Sequence, residues 1–284
     1  MNTYLEERLP PLSLQETYFR ENGVHEHSLK DGTKIFGVSA NTWDQFHILL
    51  NSVPTRALIV ASPELIAFAG GSLRDLENSR ELVNQRLGDV LNISQTRPET
   101  IFVIGTPLFV SSHKPRNSAL LIKNGEIVGV TNKRSGATQE ENDYFDLVAE
   151  EAPLLLPGTN TAVLICADLP TAVLYAGQEN TFLDRSLGLL NRQHLIGRNV
   201  QLIPSSATSL LVIACWGVGG TWVQEGKADE YYRMQLRNIV WSLTRMTKIR
   251  EVVIVDRMPQ CLSEEQRRIT PSKPFNGLLK NPLA

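Results

Sequence analysis

Alternating apolar and polar segments along the chain predict an α/β protein. Short apolar runs rich in β-branched residues predict strands over 34–39, 57–61, 101–105, 118–123, 127–131, 161–165, 200–204, 210–215 and 251–255. Two longer segments, 74–91 and 230–247, carry apolar residues at helical spacing and predict helices. Strands and helices alternate without internal repeats, which is typical of one layered α/β unit.

Three of the predicted strands end beside a residue with a reactive side chain. The strand over 161–165 ends directly at Cys166, and two upstream strands end near Glu64 and Lys133. Functional sites in layered α/β folds gather at the carboxyl ends of strands. A carboxylate, an ammonium and a thiol at three such ends therefore form a plausible catalytic set.

Each of the three residues also has a purely structural interpretation. A lone cysteine beside apolar residues is most often a small buried hydrophobe. Glu64, after a proline, can simply begin a helix, where a carboxylate favours the positive end of the dipole. Lys133 lies in a basic, polar stretch and by default is a solvated turn residue. Only the joint placement of Cys166, Glu64 and Lys133 favours catalysis.

Five short motifs occur in order between about Lys34 and Arg257. They are Leu58-Ile59-Val60 through Pro63-Glu64-Leu65; Asn117-Ser118-Ala119-Leu120-Leu121-Ile122; Gly125-Glu126-Ile127-Val128-Gly129 before Lys133; Pro157-Gly158-Thr159 before Leu164-Ile165-Cys166-Ala167-Asp168; and Leu210 through Trp216. In this order the motifs resemble the nitrilase superfamily, the carbon–nitrogen hydrolases that use a Glu-Lys-Cys triad. One such motif is a weak signal, whereas five in order are specific.

The resemblance implies a fold and a set of roles. The fold would be a four-layer α-β-β-α sandwich, in which two sheets face each other. Cys166 would be the nucleophile, Glu64 the general base and acid, and Lys133 the positive centre for the oxyanion. Glu140, seven residues after Lys133, would be the second glutamate that many members carry, and would hold the lysine in place.

Three further residues are predicted to bind substrate. Ala167 follows the nucleophile, and its amide N–H is a candidate second donor to the oxyanion. Asp168 completes the same motif, and Trp216 ends a strand beside the expected pocket. The mechanism requires no cofactor. The five histidines are scattered without a metal-binding pair, so no metal site is predicted.

Some positions depart from the family pattern. Leu169-Pro170-Thr171-Ala172 stands where members often carry Phe-Pro-Glu after the Cys-x-Asp, and Asp256-Arg257 replaces the usual Asn-Arg. About thirty residues precede the first core strand, and the stretch between Asp168 and Leu210 is long and polar. These departures indicate a divergent branch whose substrate the resemblance does not identify.

The composition argues against several classes of partner, site and location. The net charge of −2 gives no electrostatic reason to expect nucleic acid as a partner. Three cysteines without a Cys-x-x-Cys pair argue against a disulfide framework, and a free nucleophilic thiol suits a reducing, cytoplasmic location. No secretory signal is visible, and the apolar runs are too short or interrupted for a membrane span.

The resulting prediction is a cytoplasmic amidase- or nitrilase-type enzyme that hydrolyses a small amide, carbamoyl compound or nitrile through a thioester. Two alternatives remain open: a catalytically silent scaffold with this fold, and an acyltransferase that resolves the thioester with an amine. The predicted division is an extension over 1–33, a hydrolase domain over 34–262 and a tail over 263–284. The apolar helix stripe and the proline-rich tail suggest a homodimer or larger assembly.

Overall fold

The computed structural model describes residues 14–68, 72–110, 113–136, 139–169, 202–215, 226–258 and 271–281. The strands within these ranges are β1 Gln15–Phe19, β2 Gly23–Ser28, β3 Lys34–Ser39, β4 Ile59–Ala61, β5 Ile101–Leu108, β6 Arg116–Lys123, β7 Glu126–Asn132, β8 Thr161–Ile165, β9 Ser209–Ala214, β10 Glu251–Asp256 and β11 Asn276–Lys280. The α-helices are α1 Trp43–Leu50, α2 Arg80–Gln95, α3 Gln139–Tyr144 and α4 Ala228–Met246, and two 3₁₀ turns, Leu73–Asp75 and Glu77–Ser79, precede α2.

The strands form two mixed sheets. The six-stranded sheet has the order β2-β3-β4-β5-β6-β7, and the five-stranded sheet has the order β1-β11-β10-β9-β8. Three neighbouring strands run parallel in each sheet: β3, β4 and β5 in the first, and β10, β9 and the edge strand β8 in the second. Parallel strands place their carboxyl ends at one edge of the sheet. Each sheet therefore presents a row of strand ends on which a site can be built.

Alternation along the strands divides the core between two layers. On β3, Ile35 packs into the core shared by the two sheets, whereas its neighbour Phe36 faces helices α1 and α2. Val103 and Phe102 on β5 divide in the same way. This alternation is the period of two that an extended strand imposes. With α4 packed on the five-stranded sheet, the layers are α-β-β-α, which confirms the predicted fold class.

Most predicted elements lie within one to three residues of the observed ones. The predicted strand over 200–204 is wrong where the structure describes it, because Leu202 is helical, Ile203 is a bend and Pro204 has no regular structure. The predicted helix over 74–91 begins as 3₁₀ turns and becomes α-helical at Arg80. Five elements were not predicted: β1, β2, β11, α1 and α3.

Both end segments of the described chain belong to the sandwich. Strand β1 pairs with β11 at one edge of the five-stranded sheet, and β2 pairs with β3 at the matching edge of the other sheet. Strand β11 also pairs with β10, so it lies inside its sheet, and its Leu279 is buried. The described residues of the predicted extension and tail thus pair with the two sheets, and the division of the chain at residues 33 and 262 stays a prediction.

The apolar face of helix α4, which suggested a dimer, packs against its own chain. One face of α4 is buried in the core of the five-stranded sheet, through Tyr232, Leu236, Val240 and Leu243. The features that motivated the homodimer thus have intramolecular partners, and the assembly remains a prediction. No helix in the described parts of the chain is long and apolar enough to cross a membrane.

Candidate active site

Glu64, Lys133 and Cys166 come together between the two sheets. Glu64 follows β4 and Lys133 follows β7 in the six-stranded sheet, and Cys166 follows β8 in the five-stranded sheet. All three are buried. The structure thus brings the three predicted residues into one cluster, to which both sheets contribute.

A tight turn after β4 delivers Glu64. Leu65 has a φ of +52°, in the left-handed region, and the buried guanidinium of Arg257 holds the turn by donating to the carbonyls of Glu64 (2.9 Å) and Leu65 (3.4 Å). Gly105 on β5 passes directly beneath the turn. A Cβ at this position would lie 2.3 Å from the carbonyl oxygen of Pro63, so only glycine permits this approach.

Three donors surround the carboxylate of Glu64. Its Oε1 accepts from Asn117 Nδ2 at 2.7 Å and from Lys133 Nζ at 2.6 Å. Its Oε2 accepts from the backbone N–H of Cys215 at 3.1 Å. Three hydrogen bonds from donors on, or directly after, different strands fix the orientation of a carboxylate. Glu64 is therefore a pre-oriented carboxylate in a site from which water is largely excluded.

Lys133 bridges two carboxylates. Its Nζ lies 2.6 Å from Glu64 Oε1 and 2.6 Å from Glu141 Oε1, and its side chain is fully buried. Burial by itself would lower the pKa of Lys133, but Glu141, Glu64 and Cys166 together raise that pKa well above its ordinary value. Lys133 is consequently a fixed positive charge.

The glutamate that contacts the lysine is Glu141 rather than the predicted Glu140. Glu140 is exposed on α3, and its carboxylate accepts from the Ser72 hydroxyl at 3.4 Å. Adjacent residues on a helix point about 100° apart, so only one of the pair can face Lys133. The prediction, which rested on the seven-residue offset from Lys133, thus fell one residue short of the glutamate that contacts the lysine.

Cys166 has a strained backbone. Its φ of +44° is unusual for a residue with a side chain, and its N–H donates to the carbonyl of Ile213 at 2.8 Å, which continues the β8–β9 ladder. Burial and the carboxylate of Glu64 raise the pKa of the Cys166 thiol well above its ordinary value, against the opposing effect of Lys133. The side chain of Cys166 is therefore held as a neutral thiol.

Asp168 ties the nucleophile turn to the lysine loop. Its Oδ1 accepts from the backbone N–H groups of Arg134 (2.9 Å) and Ser135 (3.0 Å), and its Oδ2 accepts from the Arg134 guanidinium at 3.1 Å. The carboxylate is completely buried. Asp168 thus has a structural position instead of the predicted substrate-binding one, because its oxygens are directed at the loop that follows Lys133.

The remaining predicted residues have separate outcomes. Ala167 is buried directly after the nucleophile, and its role as an oxyanion donor stays a prediction. Trp216 lies outside the described residues. Cys215 is a free cysteine directly after β9, and burial raises the pKa of its thiol to about 12. In the described ranges, no cluster of His, Cys, Asp and Glu could hold a metal ion.

Two polar residues of the site were not identified as such from the sequence. Asn117 contacts Glu64, and Arg257 holds the Glu64 turn. Asn117 carried one usable signal, since it is a polar residue that begins an apolar run predicted to be a buried strand. Arg257 follows β10 in the same way that Lys133 follows β7, so the strand-end argument applied to it as well.

Comparison with solved structures shows which proteins share this fold. The NitN amidase from Nesterenkonia sp. AN1 is 14% identical with a TM-score of 0.56, over 87% of this chain and 90% of that one. A carbon–nitrogen hydrolase from Helicobacter pylori G27 is 11% identical with a TM-score of 0.58, over 93% and 88%. No protein-family model and no curated protein matches the sequence.

A larger enzyme contains the same unit. The chain aligns with 38% of the glutamine-dependent NAD⁺ synthetase from Acinetobacter baumannii, at 17% identity and a TM-score of 0.50, so it spans well under half of that protein. The Nesterenkonia amidase is described as a member of the nitrilase superfamily. The chain therefore has the nitrilase-superfamily fold in a divergent sequence, as the motifs predicted.

Proposed function

We propose that this protein hydrolyses a carbon–nitrogen bond of a small amide, carbamoyl compound or nitrile, with Cys166 as nucleophile. One observation carries the proposal: Lys133 Nζ lies 2.6 Å from each of two carboxylates in a buried cluster that also contains the thiol. Such a cluster is costly to bury. A nucleophile, a proton acceptor and a fixed positive charge are what acyl transfer from an amide requires.

The charges of the cluster favour proton transfer within it. Lys133 carries one positive charge, Glu64 and Glu141 carry two negative charges, and the Cys166 thiol is neutral. Moving the thiol proton to Glu64 leaves the total charge unchanged, so the step adds no further net charge to a low-dielectric site. The raised pKa of Cys166 keeps its proton in place until substrate arrives.

For an amide substrate, the reaction then proceeds in two halves. As the Sγ–carbon bond forms, Glu64 takes the thiol proton, and Lys133 stabilises the negative charge that develops on the substrate oxygen. The carbon–nitrogen bond breaks as Glu64 returns the proton to the leaving nitrogen, which leaves a thioester on Cys166. Glu64 next takes a proton from water as the water attacks, and the acid departs with the thiol restored.

The solved structures guide the choice of substrates. The Nesterenkonia amidase has been determined in complex with butyramide, and also with the acetamide moiety of fluoroacetamide attached to its active-site cysteine. The synthetase from Acinetobacter is glutamine-dependent. Butyramide, fluoroacetamide and glutamine therefore belong in the first panel, beside N-carbamoyl compounds and nitriles.

The test measures ammonia release across this panel, together with the mass of the protein after a rapid quench. We expect release from at least one substrate and a mass increase located on the Cys166 peptide. Iodoacetamide should label Cys166 faster than Cys215 or Cys261. Slow, unselective labelling of all three cysteines, with no release from any substrate, would favour the scaffold. An acyl-enzyme that is consumed only when an amine is added would indicate an acyltransferase.

A further inference from the structure

The two oxygens of the Glu64 carboxylate are unequally occupied. Each carboxylate oxygen offers about two lone-pair positions in its plane. Oε1 accepts from both Asn117 Nδ2 and Lys133 Nζ, at 2.7 and 2.6 Å, so both of its positions are used. Oε2 accepts only from the backbone N–H of Cys215, at 3.1 Å, among the residues that the structure describes. One lone pair, on Oε2, remains for a proton.

The oxygen with the vacant position is bound from the strand next to the nucleophile. Its donor, the backbone N–H of Cys215, directly follows β9, as Cys166 directly follows β8. Strands β8 and β9, which end at these two cysteines, are parallel neighbours, with Ile165 beside Ile213. Oε2 is therefore bound from the sheet that carries the thiol, whereas Oε1 is bound from the six-stranded sheet.

Asn117 binds the other oxygen of the Glu64 carboxylate from the six-stranded sheet. Its side chain is buried, and its backbone carbonyl accepts from the N–H of Lys133 at 2.7 Å, so one residue contacts both the base and the lysine. Its Oδ1 is buried without a hydrogen-bond partner in the described structure. A buried acceptor without a partner is destabilising. The bond from Nδ2 to a charged carboxylate is the interaction that offsets this cost.

We propose that Glu64 accepts and returns the catalytic proton through Oε2, and that Asn117 is a positioning residue that occupies Oε1 and so fixes this choice. The inference rests on the proposed function. During attack, the Sγ–H proton moves to Oε2 as the Sγ–carbon bond forms. During collapse, the same proton moves from Oε2 to the leaving nitrogen as the carbon–nitrogen bond breaks.

The test uses alkylation of Cys166 by iodoacetamide, because it needs the base but no natural substrate. Its rate is followed against pH by mass spectrometry of the Cys166 peptide in wild type, Asn117→Ala, Asn117→Asp and Glu64→Gln. We expect Asn117→Ala to react about 10- to 100-fold more slowly than wild type at neutral pH, as part of the ~10²–10⁴-fold that general base catalysis supplies.

Asn117→Asp distinguishes positioning from packing, since the two side chains have nearly the same shape. The introduced aspartic acid can donate to Oε1 only when protonated, so alkylation should exceed that of Asn117→Ala at low pH and fall below it at neutral pH. Asn281→Ala is the matched control. It removes another buried amide, which donates to the Thr244 hydroxyl at 3.2 Å away from the site, and should leave the alkylation profile unchanged.

Two outcomes separate this inference from the proposed function. If Glu64→Gln abolishes fast alkylation while both Asn117 variants keep the wild-type rate and pH profile, Glu64 is the base but Asn117 does not position it, and the inference fails alone. If Glu64→Gln itself keeps the wild-type profile, the proposed function fails as well. Should Asn117→Ala not fold, the isosteric Asn117→Asp decides the question by the same criteria.

Discussion

Two consecutive residues, Lys133 and Arg134, each make a buried ion pair, and the difference between the pairs separates chemistry from architecture. The Arg134 guanidinium is matched by one carboxylate, that of Asp168, and also donates to the Glu151 carbonyl and the Thr131 hydroxyl. The Lys133 ammonium faces two carboxylates and lies beside a thiol. The Arg134–Asp168 pair has one positive and one negative charge and no proton to transfer. The Lys133 cluster has one more carboxylate than it has positive charges, and the thiol proton lies nearby.

The comparison indicates how one loop can serve both purposes. Arginine keeps its charge under all ordinary conditions and fixes geometry through a planar fork, while lysine is a compact point charge. The arginine pair anchors the turn that follows Cys166 to the loop that carries Lys133. The lysine cluster thus lies within a frame that the Arg134–Asp168 pair holds together. The predictions below test this division, from the largest expected effect to the smallest.

Cys166→Ala should reduce turnover by about 10⁴-fold or more, since catalysis without the nucleophile falls to what binding and oxyanion stabilisation supply. The substitution removes little volume, so thermal unfolding should stay close to that of wild type. Ammonia release on the best substrate of the panel is the measurement. A Cys166→Ser variant purified in parallel reports contamination, because a foreign amidase would give both variants the same rate. Release equal to wild type in a clean preparation would refute the assignment.

Arg134→Met should lower the free energy of unfolding by about 3–5 kcal/mol, because it leaves the buried carboxylate of Asp168 without its charged partner. Urea denaturation of the two proteins checks this value. The matched control is Lys34→Met, which breaks the exposed pair with Glu26 and should cost less than ~1 kcal/mol. Equal losses in the two variants would contradict a structural role for Arg134.

Glu141→Gln should reduce kcat by about 10- to 100-fold, because a carboxamide cannot stabilise the Lys133 charge as a carboxylate does. Glu140→Gln, one residue away, should alter kcat less than about twofold, since exposed substitutions away from the site are nearly neutral. Steady-state kinetics on both variants provides the measurement. A large loss in Glu140→Gln, with Glu141→Gln active, would restore the original assignment.

The smallest effect concerns pH and stability. Burial raises the pKa of Cys215 from 9.0 to about 12, and the pKa values of Cys166 and Lys133 are raised as well. A group whose pKa is raised by folding contributes stability that is fully present below its unfolded-state pKa. That stability is lost as the pH rises towards its folded-state pKa. The free energy of unfolding should therefore fall between pH 9 and pH 10.5 under reducing conditions, and fall less in Cys215→Ala. A steeper decline in the variant would contradict the assignment.

The sequence was most informative where function depends on strand ends. Glu64, Lys133 and Cys166 were predictable because short apolar runs identify strands, and the position after each run is then fixed. The choice between Glu140 and Glu141 was not predictable, since it depends on how α3 is rotated against Lys133. Asp168 was assigned to substrate because its motif does not reveal that Arg134 and Ser135 fold back onto it.

The strands β1 and β11 show a different limit of prediction from the sequence. Strand β1 is largely polar, and β11 is short and follows several prolines, so neither has the alternation of a typical strand. Their stability comes from pairing with each other and with β10, which is a contact between distant parts of the sequence. Helix α1 was missed for a local reason, because it has only eight residues and its helical spacing is therefore short. Thr42 caps this helix, and its buried residues are Trp43, Phe46 and Leu50.

The pairing of β1 with β11 has a consequence for how the protein is made. Gln15 lies opposite Lys280, so this contact closes a loop of nearly the whole described chain. At ribosomal rates of about 5–20 residues per second, β1 waits on the order of ten seconds or more for its partner. Strands β8, β9 and β10 can pair earlier, yet β10 has an open edge until β11 emerges. During synthesis, that edge is where a nascent chain would need protection from other chains.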